Sequence, residues 1–172
     1  MMNEFELSCT LVRLLRERSM KIASVESCTG GLISKIITDA PGSSEVFDVG
    51  ITTYSNEMKH RMVGVPNDIL EQYGAVSPQT AEAMAAGILA VSGADIGVAT
   101  TGIAGPGGGT PEKPVGLVYT AIAIAGTAPE VRVTRLLIDE PNADRDFIRH
   151  KTAETVLQNV MEYLKSTESR AK

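Results

Sequence analysis

Runs rich in β-branched residues alternate with runs whose apolar residues recur at helical spacing along nearly the whole chain. That alternation restricts the fold to a sheet packed between helices. Phe5, Leu7, Leu11, Leu14 and Leu15 predict an opening amphipathic helix, and Lys21 to Val25 a short strand. The turn Glu26-Ser27-Cys28-Thr29-Gly30-Gly31 leads into a helix from Leu32 to Thr38, which Pro41-Gly42 stops. Val46 to Tyr54 reads as a strand. A short helix capped by Ser55 or Asn56 follows through Arg61, and another runs from Pro66 to Gln72, with Gly74 just beyond it. Ser77-Pro78 is a helix start, an N-cap followed by Pro at the first helical position, and that helix runs to about Val91. Asp95 to Thr101 reads as a strand and Gly102 to Pro114 as a loop. Val115 to Ala125 and Val131 to Ile138 form an expected antiparallel pair joined through Gly126-Thr127-Ala128-Pro129. Asn142 is the expected cap of a final helix reaching about Leu164, ahead of a polar tail from Ser166. The fold class is therefore α/β: a three-layer α/β/α sandwich around a mixed, mostly parallel sheet. Residues 1–165 form one domain and 166–172 the tail. In such folds ligands gather at the carboxyl ends of strands, where Ser27 to Gly31, Tyr54 to Lys59 and Gly102 to Pro114 all fall.

Composition removes several function classes. With 172 residues, 16 Lys+Arg against 21 Asp+Glu, and a formal charge of −5, the chain lacks the basic surface of a nucleic-acid coat. Aromatics at 4%, with no Trp, leave no stacking platform for single strands. No apolar run approaches the roughly 20 residues that span a bilayer, and the start lacks the basic head and apolar run of a signal peptide. Cys9 and Cys28 are the only cysteines, too few for a disulfide framework and without metal-ligand spacing. The expectation is a reduced, cytoplasmic protein that uses no metal and touches neither membrane nor nucleic acid.

Five segments carry side chains suited to chemistry. The 26–31 turn sets two hydroxyls and a thiol beside paired glycines at a strand-to-helix junction, where free N–H groups favour an anion or oxyanion. Its plainer reading makes Ser27 and Thr29 helix caps and Cys28 a small core residue. Gly42-Ser43-Ser44-Glu45 is a second hydroxyl-bearing turn, ahead of a strand. Lys59 stands either as a solvated helix charge or, if burial lowers its pKa, as a base for a serine. The stretch Gly102 to Thr110 fails both the P-loop pattern, for want of its Lys, and the dinucleotide glycine spacing. Four glycines in five residues nonetheless suit a binding or lid loop more than a passive connector. Arg145 and Arg149 share one helix face and suit a phosphate, or pair with Asp144 and Asp146.

Taken in order and with their spacing, these segments resemble one family. Glu26 to Gly31, Gly42-Ser43-Ser44, Thr53-Tyr54-Ser55-Asn56, Gly74-Ala75-Val76-Ser77, Thr101 to Pro106 and Lys113-Pro114-Val115-Gly116 are similar to the CinA carboxy-terminal-domain family, from about residue 20 to about residue 150. Larger CinA proteins carry an additional amino-terminal domain with nucleotide pyrophosphatase activity, and the chain resembles the stand-alone form. Members of that type include nicotinamide mononucleotide deamidases, which release ammonia and nicotinic acid mononucleotide in pyridine-nucleotide salvage.

The resemblance implies a serine amidohydrolase with a Ser/Lys pair and no metal or cofactor. By motif, Ser44 is the implied nucleophile, Lys59 its base and Tyr54 a hydrogen-bonding partner; Ser27 is a rival nucleophile because it too sits at a strand-to-helix turn. Ser27 and Thr101 would bind substrate or support the oxyanion, and Arg145 would meet the phosphate. Cys28, Thr29, Gly30, Gly102 and Gly105 complete the expected substrate site. The expected ligand is nicotinamide mononucleotide and the expected assembly a homodimer. The alternative reading is a non-catalytic nucleotide- or protein-binding module linked to competence and DNA-damage responses.

Overall fold

A computed structural model describes residues 2–168. In chain order the elements are α1 (Glu4–Glu17), β1 (Ile22–Glu26), α2 (Leu32–Asp39), a 3₁₀ turn (Ser43–Glu45), β2 (Phe47–Thr52), α3 (Asn56–Val63), α4 (Asn67–Tyr73), α5 (Pro78–Ser92), β3 (Ile96–Gly102), β4 (Leu117–Ile124), β5 (Glu130–Leu137) and α6 (Arg145–Glu168). The sheet order is β2-β1-β3-β4-β5. β1 pairs in parallel with β2 and β3, and β4 lies antiparallel to both β3 and β5. Four strands therefore run one way and only β4 opposes them, the mixed and mostly parallel sheet the sequence predicts.

Alternate side chains along the strands feed two cores. Ile22, Ile96 and Val98 pack against Leu11 and Leu15 of α1, Ile33 and Ile37 of α2, and Val156 and Val160 of α6. Ala23, Val25, Ala99 and Ala121 face Met84, Ala85 and Ile88 of α5, together with Val63 and Leu70. Small residues on that second face let α5 sit close. At Gly97 a Cβ would come within 2.7 Å of the Ala85 carbonyl oxygen.

Caps fix several boundaries. Ser55 accepts from the Met58 N–H and Ser77 from the Thr80 N–H, as the cap positions predict. At α6 the expectation fails. Asn142 takes a left-handed φ of +65° in the preceding turn, and Asp144 Oδ1 accepts from the Phe147 N–H at 2.8 Å. α6 also continues through Glu168, so the first residues of the expected tail are helical, and 169–172 lie outside the described residues. No helix among the described residues is long and apolar enough to cross a membrane.

Candidate active site

The chain leaves β1 for β2 on one side and later returns to β3 on the other. The carboxyl end of β1 is thus the switch point at which open α/β sheets form a crevice. A cavity of about 270 Å³ opens there. Its walls come from Ser27 and Cys28 after β1, Tyr54 after β2, Lys59 of α3, Ala75-Val76 before α5, Thr101 to Gly105 with Gly107-Gly108, and Arg145 at the start of α6.

Lys59 sits at the base of this cavity with 1% of its surface exposed. Its Nζ lies 3.1 Å from Ser27 Oγ, 2.9 Å from the Thr53 carbonyl oxygen and 3.4 Å from that of Tyr54. Among the described residues no carboxylate pairs with it. Burial disfavours the ammonium and lowers its pKa, opposed only by the nearby Cys28. A neutral amine has two N–H donors and one lone pair, which two carbonyls and one hydroxyl proton would satisfy. The ammonium, with three donors, finds three oxygens in the same places. The site accommodates either protonation state without rearrangement, as a proton shuttle requires.

Cys28 has a different environment. It packs with Ala104, Val118 and Ile148, and burial pushes its thiol up to about 12. A thiol protonated at neutral pH is a poor nucleophile, so Cys28 is a wall residue.

The serine turn is held from three sides. The buried Glu26 side chain accepts from the N–H groups of Gly31, Ile33 and Ser34 and from Ser34 Oγ. The α2 amino terminus, which the sequence offered to a ligand anion or to caps from Ser27 and Thr29, is therefore filled by Glu26. From β3, the Thr100 carbonyl oxygen accepts from the Ser27 N–H at 3.0 Å, and the Thr100 and Thr29 hydroxyls meet at 2.8 Å. From α6, Arg149 donates through Nε and Nη2 to the Thr29 carbonyl oxygen at 2.9 and 2.6 Å. At the mouth, Arg145 donates to the Gly105 carbonyl oxygen at 2.7 Å and to Tyr54 Oη at 2.9 Å.

The geometry corrects four sequence expectations. Ser44 is exposed on the 3₁₀ turn before β2, whereas Lys59 reaches carbonyls just after β2. A six-residue strand, about 20 Å at the usual rise, separates them, so no Ser44–Lys59 pair exists. Ser27, the rival, holds that position. Thr29 and Gly30 lie behind the cavity wall beneath Arg149 rather than in the cavity. The Thr101 hydroxyl donates to the Ala75 carbonyl oxygen at 2.6 Å, fixing a wall loop instead of facing a substrate as a donor. Ser27, Cys28, Tyr54, Lys59, Thr101, Gly102, Gly105 and Arg145 do converge on the cavity, Thr101 with its hydroxyl proton already engaged. Sequence reasoning missed the anchoring role of Glu26, whose signal was an acidic residue closing an apolar strand directly ahead of a helix start. Among the described residues no three His, Cys, Asp or Glu side chains are grouped to hold a metal ion.

Known proteins share this arrangement of the chain. Residues 4–164 match the CinA C-terminal domain. A competence-damage inducible protein of Caldanaerobacter subterraneus subsp. tengcongensis is 45% identical over 159 residues, 92% of this chain and 37% of that protein. A CinA-like protein of Desulfovibrio desulfuricans is 54% identical over 129 residues, 75% of this chain and 30% of its own. The chain thus spans about a third of the length of these relatives. The crystal structure of the competence/damage inducible protein CihA from Agrobacterium tumefaciens superposes with a TM-score of 0.88 at 40% identity, covering 94% of this chain and 95% of that one. One from Klebsiella pneumoniae subsp. pneumoniae, titled competence damage-inducible protein A, gives 0.89 at 30%, covering 95% and 98%. Sequence match and superposition agree along nearly the full length: the chain belongs to the CinA C-terminal domain family.

Proposed function

We propose that the chain is a serine amidohydrolase that deamidates nicotinamide mononucleotide, with Ser27 as nucleophile and Lys59 as general base and acid. The observation that carries this reading is the buried Lys59 Nζ, 3.1 Å from Ser27 Oγ at the base of a small cavity. Neutral Lys59 takes the Ser27 proton as Oγ bonds to the carboxamide carbon. The ammonium then gives that proton to the amide nitrogen, the C–N bond breaks, and ammonia leaves an ester on Ser27. Water, deprotonated by the same amine, attacks the ester, and the proton returns to Oγ as nicotinic acid mononucleotide departs. No step calls on a metal.

Arg145 at the cavity mouth supplies a guanidinium for the substrate phosphate, exchanging Tyr54 Oη and the Gly105 carbonyl oxygen for phosphate oxygens. That places the charged end at the rim and the carboxamide by Ser27. An ammonia assay with nicotinamide mononucleotide, run with and without a strong chelator, tests the reading. Equal ammonia release in both is expected. No release at all would leave the non-catalytic binding module, and loss restored by a divalent ion would replace the mechanism.

A further inference from the structure

We infer that Arg149 is a positioning residue for the nucleophile turn and not a second phosphate ligand; this rests on the reading of Ser27 as nucleophile. The Thr29 carbonyl oxygen receives both Arg149 Nε at 2.9 Å and Nη2 at 2.6 Å, along with the Leu32 N–H at 3.3 Å. That carbonyl belongs to the same rigid peptide plane as the Gly30 N–H, which donates to the Ser27 carbonyl oxygen at 3.2 Å. The plane is therefore gripped at both ends: α6 holds its oxygen, and its N–H holds the backbone of the nucleophile.

The left-handed turn and the close approach of the guanidinium both favour a residue without a side chain at position 30. Gly30 takes a left-handed φ of +65°, and a Cβ there would stand 3.0 Å from Arg149 Nη2. The wall side of the turn is fixed separately, by Glu26 on the N–H groups of Gly31, Ile33 and Ser34. Arg149 thus adds two short charge-assisted hydrogen bonds to a carbonyl that α2 holds only through the longer 3.3 Å bond from Leu32, and it does so from an element remote in sequence.

A phosphate role fits Arg149 poorly. It does not line the cavity that holds Ser27 and Lys59. The depression it borders is lined by Asp144 and Asp146 as well as Arg145, so two carboxylates there offset the two guanidinium charges. Arg145, one helical turn earlier, reaches the cavity mouth; Arg149 reaches the turn behind it.

The test compares Arg149→Met, which keeps most of the stem, and Arg149→Lys, which restores one donor, with wild type. Turnover is measured on nicotinamide mononucleotide and its phosphate-free riboside. The rate at which a fluorophosphonate modifies Ser27 is followed by intact mass, and thermal melts report the folded fraction. Misplacing a reacting group by about 1 Å costs on the order of 10²-fold. Arg149→Met, still folded at the assay temperature, should lose about that factor in kcat on both substrates and in Ser27 labelling, with KM unchanged. Arg149→Lys should recover part of it. Unchanged kcat and labelling in folded Arg149→Met would overturn the inference, as would a KM rise confined to the phosphorylated substrate. Slower labelling of the variant, beside a wild type that labels but releases no ammonia, would sustain the inference while removing the proposed substrate.

Discussion

An amine enclosed by two carbonyls and a hydroxyl, with no carboxylate to balance its charge, loses its proton more readily than one in water. For Lys59 the direction follows from burial, and two pH dependences follow from the direction. Because the base must be neutral, kcat/KM should rise with pH up to an apparent pKa below the ordinary lysine value of 10.5. Between that lowered pKa and the ordinary one, the unfolded chain holds a proton at residue 59 that the folded chain has released. Stability therefore gains with pH across this window. Lys59→Met should lack that gain, so urea melts of wild type and variant should diverge as pH rises through the window. Lys59→Arg should be inactive at every pH, because a guanidinium stays protonated. A rate profile flat to pH 10, or an active Lys59→Arg, would remove Lys59 as the base. Arg145 makes a separate prediction at this scale. Arg145→Ala should weaken binding of nicotinamide mononucleotide by about 1.5–3 kcal/mol, the scale of a charge-assisted hydrogen bond, measured by calorimetry. Riboside turnover should change little, whereas equal losses on both substrates would take Arg145 out of phosphate recognition.

At the scale of elements, the position of Lys59 depends on how closely α3 lies against α5. Gly87 of α5 sets that approach: a Cβ there would stand 1.8 Å from the Val63 carbonyl oxygen, a backbone atom that cannot rotate away. Gly87→Ala should force α3 outward, destabilise by about 1–3 kcal/mol as overpacking does, and lower turnover as Nζ is drawn from Ser27. Urea melts and the ammonia assay check both effects, and a stable, fully active Gly87→Ala would show that α3 is not held this way. Most elements were legible from the sequence because their signals are local. The Ser77-Pro78 start, the Ser55 cap and the period-two runs each depend only on near neighbours. The α6 cap was misread because Asn142 and Asp144 are both good N-caps and only the turn geometry selects between them. The separation of Ser44 from Lys59 was legible too, since a strand reads clearly between them and a strand cannot fold back on itself. Ser27 and Lys59 read as strand-end residues, but that their two strand ends are neighbours was not legible, because it depends on parallel pairing of β1 with β2. The same holds for the reach of Arg149 across 120 residues to Thr29.

For the whole molecule, three parallel strands end together at one edge, and everything the proposed chemistry uses is gathered there. β1 delivers Ser27, β2 the two carbonyls that hold Lys59, β3 the loop at the mouth, and the start of α6 closes over them. The opposite edge carries Ser44, exposed beside the ion pair of Arg16 with Glu45 at 2.9 Å. The two serines thus stand for two incompatible sites on one fold, and they are separable by substitution without disturbing either core. The decisive measurement is ammonia release from nicotinamide mononucleotide by Ser27→Ala and Ser44→Ala, each shown to be folded by its melting curve. Ser27→Ala should lose nearly all turnover, because the covalent route is gone, and Ser44→Ala should keep the wild-type rate. Near-normal turnover by Ser27→Ala, or its loss in folded Ser44→Ala, would contradict the assignment of the site to the carboxyl end of β1.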